Sequence, residues 1–242
     1  EAAAQAPAGP AAEGGEDEEP KAPAKAGLNR FVWDMRGAPA QKITSGEGHK
    51  DVDLSAPPVP PGRYQVELKV GDQVRTAEFA ILPDPRVTTT QAEYEAQYAL
   101  LKRLHGLLND AHAAVNRIRA VRAQLDDWVK RTEGREAGAR IKEAAAGMKA
   151  KLAAVEEQLI QVKAKSSQDT LNYPAMLNAK LSFLMGLVAA AETAPTAAQE
   201  AAGADLEARV RQQLDALEAL WKEDLPAFNA LVREADLPAL SV

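Results

Sequence analysis

The stretch Ile81-Leu82-Pro83-Asp84-Pro85-Arg86-Val87-Thr88-Thr89-Thr90-Gln91-Ala92-Glu93 separates two kinds of periodicity. Upstream of it, apolar residues recur at every second position; downstream, at every third or fourth. Pro83 and Pro85 lack the N–H that a ladder needs, so the sheet ends here. Thr88, Thr89 and Thr90 are N-cap candidates, and Glu93, three residues after Thr90, completes a capping box that opens a helix. The expected fold class is therefore α+β, with a small β domain followed by an antiparallel helical bundle.

Working downstream, Tyr94, Tyr98, Leu101, Leu104, Leu108, Ala111, Val115, Ile118, Leu125 and Trp128 form one apolar stripe over about ten helical turns. Gly134 breaks it. A second helix is predicted from about Arg135 to Lys165 on Ile141, Met148, Leu152, Val155, Leu159 and Val162. After a turn over Ser166 to Pro174, a third helix is predicted with Pro174 at its first position, running to about Glu192 on Leu177, Leu181, Leu184 and Val188. Thr193-Ala194-Pro195-Thr196 interrupts the pattern. A last helix carries Leu206, Val210, Leu214, Leu217, Leu220 and Trp221, and Pro226 kinks or restarts it before Phe228, Leu231 and Val232. Short connections between four helices predict an up-down-up-down bundle, with the long first helix as a stalk for the β domain.

Working upstream, Tyr64, Val66, Leu68 and Val70 share one face of a strand, and Val74, Phe79 and Ile81 continue the rhythm after a tight turn at Val70-Gly71-Asp72-Gln73-Val74. Ala56-Pro57-Pro58-Val59-Pro60-Pro61-Gly62 is a rigid lead-in, Gly46 and Gly48 mark a loop, and Phe31 and Trp33 alternate in a further strand. About four strands are predicted where an immunoglobulin-like sandwich needs about seven, so the β domain is incomplete and its edge calls for cover. Residues 1–26 hold only Ala, Pro, Gly, Gln, Lys and acids, with six acids against Lys21 and Lys25. Such a segment cannot offset its own ordering entropy and is expected to lie along a partner as an extended arm. The domain boundaries expected are 1–26 for the arm, 27–86 for the β domain and 87–242 for the bundle.

Composition narrows the chemistry. Cysteine is absent from the 242 residues, which excludes disulfides, thiolate metal sites and cysteine nucleophiles. Of the three histidines, His105 and His112 lie two helical turns apart, roughly 10 Å, too far to share one metal ion; a structural or surface role is expected for both, and a solvated turn for His49. There is no GxSxG elbow, and Gly46-Glu47-Gly48 lacks the rest of a phosphate loop. The acid pairs Asp126-Asp127 and Glu156-Glu157 point about 100° apart on a helix and are read as solvated faces. Arg117, Arg119 and Arg122 are read as an interhelical or partner-facing patch rather than a nucleic-acid site, since the formal charge is −6. The longest uncharged, mainly apolar stretch, Leu181 to Ala191, is far short of the ~20 residues of a membrane span. No catalytic, cofactor-binding or metal residue is expected.

Several segments in order add a resemblance. They are Gly27-Leu28-Asn29-Arg30-Phe31-Val32-Trp33-Asp34-Met35-Arg36, Pro60-Pro61-Gly62-Arg63-Tyr64-Gln65-Val66-Glu67-Leu68, Asp84-Pro85-Arg86, Leu171-Asn172-Tyr173-Pro174 with Leu177-Asn178-Ala179-Lys180-Leu181, Ala194-Pro195-Thr196 and Ala227-Phe228-Asn229. Together they resemble the C-terminal module of exported bacterial BNR-repeat, sortilin-like propeller proteins related to glycosyl hydrolases, over about residues 27 to 238. The resemblance implies an immunoglobulin-like module followed by a helical bundle, working outside the cytoplasm. It implies no catalytic residue here, because an active site of that family would lie in a propeller, and the chain has no Asp-box repeat. The expectations are thus a non-catalytic subunit docked on a larger extracytoplasmic, membrane-associated assembly, such as a respiratory or photosynthetic complex, or else the accessory tail of a propeller hydrolase. Trp33 is expected to plug the sheet against the bundle, Arg36 and Arg86 to pair with Asp34 or Asp84, and Asn172 and Asn178 to satisfy helix ends.

Overall fold

The computed structural model describes residues 22–44, 52–164, 169 and 171–235. The two strands are β1 (Gly62–Val70) and β2 (Gln73–Ile81), an antiparallel hairpin in which Tyr64 faces Phe79, Val66 faces Ala77 and Leu68 faces Arg75. Gly71, with φ of 58°, supplies the left-handed turn. Five helices follow: α1 (Gln91–Arg131), α2 (Gly138–Leu159), α3 (Leu177–Ala189), α4 (Ala197–Lys222) and α5 (Asp224–Glu234).

The predicted capping box is present: the Thr90 backbone N–H donates to Glu93 Oε2 at 2.7 Å and the Glu93 N–H reaches back to the Thr90 hydroxyl. A second box, Thr196 with Gln199, opens α4. Gly134, with φ of 75°, turns the chain after α1. Two boundaries differ from expectation. Helix α2 stops at Leu159 because Ile160 is already extended (φ −136°, ψ 158°), and Pro174 precedes α3 by three residues instead of starting it, its carbonyl accepting from Gln161 Nε2. As expected, the last helix breaks ahead of Pro226, at Glu223, and restarts as α5.

The bundle is not up-down-up-down. Along α1, Arg119 and then Asp126 meet Glu156 and then Lys149 of α2, and Gln97 and His112 meet Val188 and Asn178 of α3. Both α2 and α3 therefore run antiparallel to α1, one after the other. Arg103 meets Glu200 and Arg117 meets Glu218, so α4 runs parallel to α1, and the pairs Lys151–Asp224 and Arg140–Glu234 continue α5 in the same direction along α2. The result is three rods: α1, the broken rod α2/α3 and the broken rod α4/α5. A 41-residue helix is about 60 Å long, and two short helices in line are what match it. Leu104, Leu108, Val115 and Ile118 of α1, Leu152 and Leu159 of α2, Leu181 of α3 and Val210 of α4 form the buried axis. Gly203 lets α4 approach closely; a Cβ there would lie 3.1 Å from Leu100 Cδ1.

The β region is smaller than expected. Among the described residues there are two strands, not four, and no sandwich; Phe31 to Trp33 form no ladder, and the nearest pairing is a single bridge between Arg36 and Pro58. Residues 1–21 of the arm, His49 with its glycine loop, and residues 165–168 and 170 of the α2–α3 connection lie outside the described residues.

Candidate functional site

An extended strap, residues 36–44 and 52–59, joins the N-terminal segment to the hairpin and lies along α1 and α3. Its backbone is read by a polar row on α1 with spacings of four, three and four: His105, Asn109, His112 and Asn116. The Asn109 side-chain oxygen accepts from Gln41 N–H at 3.1 Å, Asn116 accepts from Thr44 N–H and donates to Lys42 O, and His105 Nε2 donates to Leu54 O at 3.2 Å. Buried His112 donates through Nδ1 to Gln41 O at 2.7 Å, and its Nε2 faces Asn178 Nδ2 of α3 at 3.3 Å. Asp53 N–H donates to Ser182 on α3. The Asp53 carboxyl is held below its ordinary range, first by the Ser55 backbone N–H and also by the nearby Arg36 and His105. Ala40 and Ile43 of the strap are buried in the same core as the helices. Both histidines take the structural role expected of them.

Where the strap meets the hairpin, Trp33 stands edge-on to both Tyr64 and Phe79, with ring centroids 6.4 and 6.3 Å away, and those two rings stack at 5.8 Å. The Trp33 indole N–H donates to Arg36 O at 2.7 Å across a turn in which Met35 holds φ of 62°. The guanidinium of Arg36 donates to Ala56 O, not to Asp34; Asp34 accepts from the Arg36 backbone N–H instead. Arg86 does pair with Asp84, as expected, and holds that carboxyl below its ordinary range. Burial raises the Tyr64 hydroxyl above its usual value, with neighbouring Tyr98 adding to the shift, and that hydroxyl donates to Pro60 O. Trp33 thus closes the base of the hairpin rather than plugging a sheet onto the bundle.

Beyond this base the hairpin is bare. No helix backbone runs beside either strand; at the base Tyr64 neighbours Tyr98 of α1, and Gln91 Nε2 donates to Pro61 O in the lead-in. The register places Tyr64, Val66, Leu68, Val70, Ala77, Phe79 and Ile81 on one face, with Val74 on the other, so the alternation read across the turn does not hold for Val74. On that apolar face Val66, Leu68 and Val70 are 52%, 56% and 65% exposed; Phe31, Val32 and Met35, on either side of Trp33 in sequence, are exposed as well. Arg75, directly across from Leu68, is its single charge and forms no ion pair among the described residues.

The other expected positions are structural. Arg117 stacks over Trp221 at 4.8 Å and reaches Glu218, while Arg119 and Arg122 both grip Glu156, at 2.6 and 2.7 Å. The arginine patch is therefore interhelical. Glu156 is not on a solvated face: it is 3% exposed. Its neighbour Glu157 and the pair Asp126, Asp127 are exposed, with Asp126 bound to Lys149 and lowered in pKa by it. Asn178 is buried, its side-chain oxygen accepting from Ala179 N–H. Among the described residues no three His, Asp or Glu side chains converge as a metal site, and no helix is long and apolar enough to cross a membrane. Sequence reading missed the polar row on α1, whose signal was Asn109 and Asn116 repeating at the seven-residue spacing of His105 and His112. Compared with known protein families, curated proteins and solved structures, the chain matches none of them.

Proposed function

We propose that this protein is a non-catalytic docking subunit: the three-rod bundle is a rigid base that holds out a β hairpin for a larger extracytoplasmic, membrane-associated protein assembly. The observation that carries this reading is the apolar face of β1, left half-exposed at Val66, Leu68 and Val70. A two-stranded hairpin is marginal in water by itself, and contiguous exposed apolar surface marks an interaction site. The hairpin then stands as part of an immunoglobulin-like sandwich whose other strands come with the partner. The resemblance of the ordered segments to propeller-protein C-terminal modules is what supports both the sandwich and the extracytoplasmic setting. The same face also suits the second reading, a tail on which a propeller domain docks.

Native electrophoresis of mildly solubilised membranes from the host tests it. The wild-type chain is expected to migrate far above its own 25.8 kDa, and Leu68→Asp, which changes an exposed side chain, to migrate alone. Migration of both chains as monomers would overturn the proposal.

A further inference from the structure

The occupant of the hairpin face is constrained by what this chain lacks. Residues 1–21 carry carboxylates but nothing apolar larger than Ala or Pro, and residues 45–51 (Ser-Gly-Glu-Gly-His-Lys-Asp) and 165–168 and 170 carry no apolar side chain at all. Only residues 236–242 contain leucines, and seven residues span at most about 25 Å. They leave from α5, whose Glu234 pairs with Arg140 at the end of the bundle where α1 finishes, whereas the hairpin adjoins the start of α1, about 60 Å away. No part of this chain outside the described residues is both apolar enough and near enough to cover Leu68.

Charge selects among outside occupants. The apolar face carries Arg75 and no Asp or Glu: its ten positions are Gly62, Tyr64, Val66, Leu68, Val70, Gln73, Arg75, Ala77, Phe79 and Ile81. Two copies packed face to face would bury two arginines with no carboxylate between them, and taking unpaired charges out of water is strongly unfavourable. An anionic membrane is disfavoured by Asp72 at the hairpin tip and the net charge of −6. Strands β1 and β2 each run nine residues without an internal proline, so both outer edges are open to a further strand.

Resting on the docking reading above, we infer that the occupant is a β-strand segment from outside residues 1–242, which lays alternating apolar side chains over Val66, Leu68 and Val70 and sets a carboxylate against Arg75. A photo-crosslinking residue replacing Leu68 in the native host, with the crosslinked peptide sequenced, is the test, combined with Arg75→Glu and Arg75→Lys. The expected crosslink is to a segment outside residues 1–242, of alternating apolar residues with an Asp or Glu within three positions. Arg75→Glu should lower recovery at least tenfold, Arg75→Lys much less, and reversing the partner's acid to Lys should restore it. Crosslinks to lipid, to an isotopically distinct second copy or to residues 1–21 overturn the inference while leaving docking intact, as does full recovery of Arg75→Glu. A chain that migrates alone and crosslinks to nothing overturns the docking reading itself.

Discussion

Glu156 shows how a single buried residue ties two rods together. From α2 it accepts from both Arg119 Nε and Arg122 Nη1, and at 2.6 and 2.7 Å both contacts are charge-assisted hydrogen bonds. Replacing it leaves at least one guanidinium desolvated against the α1–α2 seam. Glu156→Ala should therefore cost about 3 kcal/mol, a fall of roughly 10 °C in melting temperature for a chain of this size. Glu156→Gln, which keeps an acceptor, should cost less. Thermal unfolding by circular dichroism reads both, and a loss below ~2 °C for the alanine variant would show that the pair contributes nothing net. The same residue illustrates a general difficulty of reading carboxylates: its neighbour Glu157 is exposed, and adjacent helical positions differ by 100° in direction.

At the scale of the element, α1 depends on its entry. The Thr90–Glu93 box satisfies N–H groups that no preceding turn can serve, and it sets the point where the chain leaves the hairpin for the bundle. Accepting the Thr90 backbone N–H, and then the Thr90 hydroxyl, holds the Glu93 carboxyl below its ordinary 4.5. A carboxyl lowered on folding adds stability that is present above the unfolded value and lost as pH falls through the folded one. The wild-type melting temperature should accordingly exceed that of Glu93→Gln at pH 7, and the difference should shrink at a pH well below 4.5. Scans at the two pH values decide it; a difference that persists at low pH would mean that the box acts through its neutral hydrogen bond alone.

For the whole molecule, the strap and the hairpin behave as different kinds of structure. The strap is bolted to α1 by the row from His105 to Asn116 and shares the helical core, whereas the hairpin hangs from an aromatic base of Trp33, Tyr64 and Phe79. Local opening of the hairpin therefore exposes little that is buried. Amide hydrogen exchange of the isolated protein should show Val66, Leu68 and Thr76 exchanging at least ~100-fold faster than Leu104 and Val115 of α1. Equal protection would mean that the hairpin unfolds only with the bundle, and that its exposed face needs no partner to be stable.

Periodicity alone carried much of this architecture. The switch from period two to 3.6 at Leu82 to Thr90, the capping box, the apolar stripe of α1 and the break before Pro226 are all local properties of the chain, since spacing and capping depend on residues within a few positions of one another. The direction of α4 was not local. Short connections suggested alternation, but after the long connection between Leu159 and Leu177 α3 continues along the same side as α2, and only the packing of two short helices against one 41-residue rod decided that α4 would run parallel to α1. The bare hairpin was half visible: the shortage of strands stood in the sequence, whereas the isolation of Arg75 on an apolar face required the cross-strand register. The burial of Glu156 and the use of His112 and Asn116 to hold an extended strap likewise join residues more than thirty positions apart. Tertiary structure decided these, because burial depends on what arrives from elsewhere in the chain, whereas spacing depends only on what lies beside a residue.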